Sequence, residues 1–281
     1  MTTTITALYD TIRLEEKLLI ESAKKNDINL EMVDCKKLFI DLNNKKNFDG
    51  PILQRCVSYY RNIHSTAAIE GQGTKVVNCL NTGIFAGNKL FTHMLLQKVG
   101  VPTPDATIAF SKDSALEALN KNGFPKIIKP TVGSWGRMVS KINDMDSAEG
   151  IIDGREVMYP IHQVHFLEEF VERPPRDIRV IVIGDNVAAA IYRNSGDGNW
   201  KTNTHLGGSA ETCEITNELE DICIKAKNAV HGDIVGIDLM ESNDKGMVVH
   251  EINNTTEFRN VVRVTGVDIP KLMLEYVKEL A

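Results

Sequence analysis

The chain has 281 residues, 42% of them hydrophobic and 25% charged, with a formal net charge of −6. That length makes one large domain or two to three small ones with substantial cores, and the acidic balance argues against wholesale wrapping of nucleic acid. No apolar run approaches the roughly 18 residues a membrane helix needs, no signal peptide opens the chain, and the five scattered cysteines form no CxxC, which fits reduced thiols in a cytoplasm rather than a structural zinc site.

The first 80 or so residues alternate between two hydrophobic periods. "TITALYD" and "DGPILQRCV" read as strands, and Leu14, Leu18, Leu19 and Ala23 mark one face of a helix between them. "TKVVN" is a later short strand, and the alternation predicts a parallel α/β unit. No GxGxxG follows the first strand, so a dinucleotide site is not expected. "NKLFTHMLLQKVG" reads as a helix closed by Gly100.

A second unit begins near Thr107. "SKDSALEALNKNG" is a short helix with a capping Ser or Asp and a closing Gly123. "FPKIIKP" and "RMVSKI" are strand-like runs on either side of "VGSWGR". "HFLEEFVE" and "RDIRVIVIGDNVAAAIYR" are further strands, the second turning at Gly184-Asp185. "NELEDICIKAKNAVHG" is a helix, "IVGIDLM" and "GMVVHEIN" are strands joined by "ESNDK", and "DIPKLMLEYVKEL" closes the chain as a helix with Pro270 near its first turn. "HQVH" spaces His162 and His165 three apart, but no third ligand of the right kind is near them.

The glycine loop joins two strands, whereas a Walker loop reads GxxxxGK[ST] and leads into a helix. It is therefore either an ordinary hairpin turn or a flap whose backbone N–H groups hold phosphate. Glu251 and Asn253 lie two apart on one strand and share a face. With the following hairpin centred on Asp244-Lys245, Asp238 falls opposite Glu251; centred on Lys245-Gly246, it falls opposite Asn253. Either register puts three oxygen donors on one face, which is a solvated edge or a site for a hard ion such as Mg²⁺. "NSGDGNWKTNTHLGGS" is too long and polar for a simple turn, and it predicts a substrate loop with Arg193 and Asn203 at its base.

Lys89 opening a helix, Lys129 before "VGSWGR", then "LEEFVE", "RDIRV", "WKTN", Asp238 and the E-x-N of Glu251 and Asn253 follow in an order that resembles the ATP-grasp ligases, over nearly the whole chain. Within them it is similar to the RimK-like branch, and "GSWGR", "RDIRV", "TNT" and "EFRN" near "TGVDIP" are the specific parts. The resemblance implies an α/β ATP-grasp fold: a parallel pre-ATP-grasp domain over 1–85, a central subdomain with the flap over 86–165, and a C-terminal subdomain with the metal site over 166–281. It implies ATP and Mg²⁺ as cofactors. Lys89 and Lys129 would hold phosphates, with Lys129 and Arg193 catalytic. Val132, Gly133, Ser134, Trp135, Gly136 and Arg137 would form the flap. Glu168, Glu169, Phe170 and Val171 would offer an edge to adenine, with Asp177, Arg179, Arg193 and Asn203 continuing around the nucleotide. Asn203, Thr204, Arg259, Asn260 and Arg263 would meet the amino-acid substrate, and Asp238, Glu251 and Asn253 the metal.

The resemblance further implies a cytoplasmic, homo-oligomeric enzyme that joins α-aminoadipate to the amino-group carrier protein LysW through an acyl phosphate. Neither nucleic acid nor membrane is an expected partner. Addition of glutamate instead, or of both amino acids, is the rival, as is another RimK-like protein or peptide glutamate ligase, and a non-catalytic nucleotide-binding regulator is the other class. In related ligases an Asn followed by Thr or Ala goes with α-aminoadipate and Gly-Phe with glutamate; here Asn260 matches the first type and Val261 departs from both. Arg173, Arg176, Arg179, Arg193 and Lys201 are expected to form part of a basic patch for an acidic carrier.

Overall fold

The computed structural model describes residues 4–45, 48–133, 135–196, 200 and 208–280. In chain order the N-terminal layer holds β1 (Ile5–Tyr9), α1 (Leu14–Lys25), β2 (Leu30–Asp34), β3 (Ile52–Gln54), α2 (Tyr59–Glu70), β4 (Val76–Val77) and α3 (Leu80–Ala86). The middle holds α4 (Lys89–Lys98), β5 (Ala106–Ala109), α5 (Lys112–Asn122), β6 (Lys126–Lys129), β7 (Ser140–Ile142), α6 (Met145–Glu156) and β8 (His165–Glu169). The rest is β9 (Arg176–Ile183), β10 (Asn186–Asn194), β11 (Ala210–Thr212), α7 (Asn217–Ala229), β12 (Ile234–Ser242), β13 (Gly246–Asn253), α8 (Arg259–Thr265) and α9 (Ile269–Glu279). Among the described residues no helix is long and apolar enough to cross a membrane.

Three sheets result. The first is parallel with order β2-β1-β3-β4; the second, β5-β8-β6-β7, and the third, β11-β10-β9-β12-β13, are antiparallel. The predicted hairpin at Gly184-Asp185 joins β9 to β10, and Gly184 takes the positive φ of 56° that the tight turn requires. Because β8 pairs with β5 and β6, the central sheet runs to Glu169 and passes the boundary expected at 165.

Seven elements escaped the hydrophobic pattern: β2, β5 and β11 among the strands and α2, α3, α6 and α8 among the helices. β2 carries Glu31 and Asp34 on a partly exposed edge, so its alternation is weak. The polar helix α2 buries Asn62, Thr66 and Ile69 and starts at Ser58, whose side chain accepts from Arg61 N. The face expected for α1 is also corrected. Leu19 and Ala23 are buried but Leu14 is exposed, and Glu15 and Glu16 are buried in its place. Glu16 tolerates burial because Arg13 (2.7 Å) and Arg55 (3.0 Å) pair with it.

The third sheet positions the site. Its β9 residues Ile178, Val180 and Val182 and β12 residues Val235, Ile237 and Leu239 pack under α7. Ile181, Ile183, Ala189 and Ile191 on the other face join α9 and the N-terminal layer in a second core. Further along that second face the apolar residues stop, and Asp177, Arg179, Arg193 and Asp238 take their positions. One face is thus half core and half polar cleft, with strand alternation carrying both.

Candidate active site

A cleft enclosing about 880 Å³ of space, counted to its open mouth, lies between the central and C-terminal sheets. Ile127, Phe170, Val171 and Met240 line an apolar end; Lys89, Gly133, Asp238 and Glu251 line a charged one. An apolar wall beside convergent charged side chains is what a site for a charged small molecule looks like.

Lys89 is the first residue of α4 because Asn88 caps it, its side chain accepting from Leu90 N at 3.1 Å. Lys89 Nζ donates to Gly133 O in the flap (2.8 Å) and meets Glu251 Oε1 at 3.1 Å. Lys129 ends β6, is buried, and pairs with buried Glu168 of β8. Glu169 also lines the cleft, but its side chain accepts from Lys245 Nζ (2.5 Å) and Asp105 N (3.0 Å).

Across the floor runs a relay of buried charges. Arg193 grips Asp177 through Nε (2.7 Å) and Nη2 (2.8 Å) and reaches Asp238 Oδ1 at 3.1 Å. Arg179 binds both oxygens of Asp238, with Nη2 at 2.8 Å from Oδ2. The register explains the contacts: Arg193 faces Asp177 and Arg179 faces Asp238 across neighbouring strands. Burial alone would raise the Asp238 carboxyl, but Arg179 and Arg193 hold it well below the usual carboxylate range. Burial would lower Arg193, but Asp238 and Asp177 outweigh that and raise it.

Asp238 lies opposite Glu251, and Asn253 Nδ2 is 3.5 Å from Asp238 Oδ2. The turn is not the two-residue one assumed from sequence. Residues 243–245 form it, Ser242 pairs with Gly246, and one extra residue on β13, His250, restores the register before Asp238 is reached. With His250 paired to Asp238 rather than bulged, Glu251 and Asn253 would face the α7 core. Among the described residues no three His, Cys, Asp or Glu gather in a metal-binding group; the set is two carboxylates and an amide, an all-oxygen donor set that fits a hard divalent ion.

Sequence reasoning missed His250. It lines the cleft beside Glu251, and its Nε2 is buried with no hydrogen-bond partner among the described residues. Burial, reinforced by Lys129, keeps the ring neutral by pushing its pKa well below the usual value. A histidine breaking the apolar run "MVV" was the available signal.

The flap crosses the cleft. Trp135 and Met138 take positive φ (58° and 57°) beside Gly136. Gly133, Gly136 and Arg137 line the cleft, but Val132 does not, and Trp135 turns away to donate from Nε1 to Glu257 Oε1 at 3.0 Å. Arg137 stacks on the Trp135 ring at 5.2 Å. Arg179 and Asn253 flank Asp238 without lining the cleft, and Arg259, Asn260 and Arg263 lie on α8, outside the cleft wall. Val261 is buried in the second core, so it packs rather than contacts substrate. Ser134, Asn203 and Thr204 lie outside the described residues, as does most of the expected substrate loop.

The expected basic patch is corrected. Arg176 pairs with Glu241 (2.6 Å) and stacks on Tyr192, Arg179 and Arg193 are partly buried and paired with aspartates, and Arg173 donates to backbone oxygens of Pro174, Arg176 and Trp200. Lys201 lies outside the described residues. These arginines are committed internally, so attraction for an acidic partner is not theirs to supply.

Residues 86–277 match the RimK-like ATP-grasp domain family, and residues 5–84 the LysX preATP-grasp domain family. The chain is 36% identical to an alpha-aminoadipate–LysW ligase LysX of Sulfurisphaera tokodaii, covering 97% of each chain. It is 33% identical to a glutamate–LysW ligase ArgX of the same organism, covering 98% of each. Its fold is similar to the crystal structure of a RimK domain ATP-grasp protein from Sphaerobacter thermophilus, with a TM-score of 0.78 at 20% identity, covering 98% of this chain and 99% of that one.

Proposed function

Because this chain belongs to the RimK-like ATP-grasp ligases, ATP-dependent enzymes that form C–N bonds, we propose that it joins the α-amino group of α-aminoadipate to the side-chain carboxylate of the C-terminal glutamate of LysW. The observation that carries this reading is the cleft itself. Two lysines from separate elements and a flap converge on one end, opposite the face of Asp238, Glu251 and Asn253. The choice of α-aminoadipate rests on Asn260 and on the likeness of the chain to LysX over nearly its full length; glutamate is the second reading, favoured by an almost equal likeness to ArgX.

A carboxylate is a poor electrophile, since an amine cannot expel oxide from it. In this reading a carboxylate oxygen of the carrier attacks the γ-phosphorus of ATP, ADP leaves, and an acyl phosphate forms. The amine nitrogen then attacks the acyl carbon, the C–O bond to phosphate breaks, and inorganic phosphate departs while the nitrogen loses a proton. Lys129 and Lys89 hold the phosphates and offset charge on the transferring group. Asp238, Glu251 and Asn253 would hold Mg²⁺, which supplies further neutralisation at the phosphoryl oxygens when bound. The apolar end formed by Ile127, Phe170, Val171 and Met240 takes the adenine. Glycines 133 and 136 let the flap backbone approach the phosphates and shut out the water that would hydrolyse the acyl phosphate.

The test is to offer ATP and LysW with each amino acid in turn and weigh the carrier. The expected gain is the mass of α-aminoadipate less one water. A carrier unchanged in mass with every amino acid would overturn the ligase reading, and a gain with glutamate alone would move the chain to the second one.

A further inference from the structure

The amine enters the reaction as an ammonium, and a ligase of this kind needs a group that receives that charge and takes a proton from it. None of the cleft carboxylates above is free for this. Asp177 and Asp238 are held by arginines, Glu168 by Lys129, Glu251 by Lys89 and Glu169 by Lys245.

Glu257 differs. It is partly buried, and among the described residues its carboxylate makes no ion pair; its hydrogen-bond donor is the neutral indole of Trp135. Its place is set by its backbone. Arg179 donates from Nη1 to Glu257 O (3.3 Å) and from Nη2 to Asp238 Oδ2 (2.8 Å), so one guanidinium spans from the metal face to Glu257. The loop carrying it is fastened from the N-terminal layer: Arg55 Nη2 donates to Thr256 O (3.2 Å), Asn62 Nδ2 to Thr255 Oγ1 (3.3 Å) and Asn78 Nδ2 to Asn254 O (2.8 Å). The loop crosses β12 at Gly236, where a Cβ would come within 2.1 Å of Thr256 Oγ1. Glu257 is not among the residues that line the cleft; Trp135 of the flap and Arg179 beside Asp238 tie it to the cleft's edge. Glu257 is thus tied to the metal face through Arg179 and to the flap through Trp135, and Arg259 and Asn260 follow it directly.

We infer that Glu257 is a catalytic residue of the second half-reaction: its carboxylate receives the α-ammonium of the incoming amino acid and takes one proton, which frees the lone pair for attack; as the C–N bond forms and the C–O bond to phosphate breaks, the nitrogen gives its second proton to the departing phosphate. Glu257 releases the proton it took to water before the next turnover. This rests on the ligase reading above. Such proton transfer contributes typically 10²–10⁴-fold.

Hydroxylamine, a neutral nucleophile, separates this role from others, because it captures an acyl phosphate without an ammonium to deprotonate. The wild-type enzyme with ATP, LysW and hydroxylamine should give a carrier hydroxamate; if it gives none, acyl-phosphate formation fails and both readings fall with it. Given that product, Glu257→Gln should lower ligation of α-aminoadipate by about 10²-fold or more while changing the hydroxamate rate by less than about 3-fold, and Glu257→Asp should recover part of the loss. Equal loss in both assays, or no loss in either, overturns the assignment. Trp135→Phe removes the indole N–H but leaves the carboxylate. If it reproduces the selective loss, Glu257 serves the flap and the inference is wrong; a loss shared by both assays supports it.

Discussion

Asp238 and Glu251 face each other across β12 and β13 because one residue between them in the ladder, His250, has no partner on the opposite strand. The three-residue turn sets Met240 opposite Val248 and Leu239 opposite Val249; the bulge then shifts the phase and turns Glu251 and Asn253 to the cleft. Deleting His250 should close the bulge into a regular ladder that keeps Glu251 opposite Asp238 and Asn253 opposite Gly236, so ligation should survive the deletion. His250→Ala keeps the bulge and should retain ligation, with a raised KM for ATP. Loss of ligation by the deletion, measured by carrier mass while the protein stays folded, would refute this register.

Lys129→Ala should lower turnover by on the order of 10² or more, since a charge aimed at the transferring phosphoryl is lost. It also leaves Glu168 buried without a partner, costing roughly 3–5 kcal/mol. Lys129→Ala with Glu168→Gln should regain the melting temperature but not the turnover, which separates the two effects. Glu251→Gln should raise the Mg²⁺ concentration needed for half-maximal ligation. Near-normal ligation by both single variants at low Mg²⁺ would sink the site.

The Glu16–Arg55 pair predicts a pH dependence of stability. Burial would raise Glu16, but its bonds to Arg13 and the charge of Arg55 outweigh that and lower it to about 2. A depressed carboxyl stabilises the fold fully above its unfolded value, near 4.3, and that contribution is lost as pH falls through about 2. Glu16→Gln should cost roughly 3–5 kcal/mol at neutral pH, because Arg55 is left buried and unpaired. The gap between variant and parent, read from urea unfolding, should narrow as pH falls from about 4.5 towards 2. A gap constant over that range would contradict the pairing.

Selectivity is read from kcat/KM for α-aminoadipate and glutamate on the same carrier. A pocket that merely fits one extra methylene separates them by about 10–200-fold, and a preference for α-aminoadipate in that range is expected. A ratio near one makes the enzyme bifunctional. Val261 is buried, so Val261→Ala should destabilise by about 2 kcal/mol and leave the ratio unchanged. A changed ratio would return Val261 to the substrate site.

Local chemistry made much of this protein legible in its sequence. Caps and closing glycines marked α4 and α5, alternation marked β9 and β12, and "KPTVGSWGR" between two strands pointed to a flap rather than a Walker loop, since each of these signals is decided by neighbours along the chain. Partners across the chain were decided elsewhere. Whether Arg176, Arg179 and Arg193 greet a partner or neutralise Glu241, Asp238 and Asp177 depends on which strands lie side by side. Glu16 could be buried only because Arg55 arrives from another strand. Glu257, three residues past a loop start, acquires its position from Arg179, Gly236 and the N-terminal layer. Periodicity reports which face a side chain takes; only the packed tertiary structure sets what that face meets, because the cost of burying a charge depends on the partner that folding brings to it.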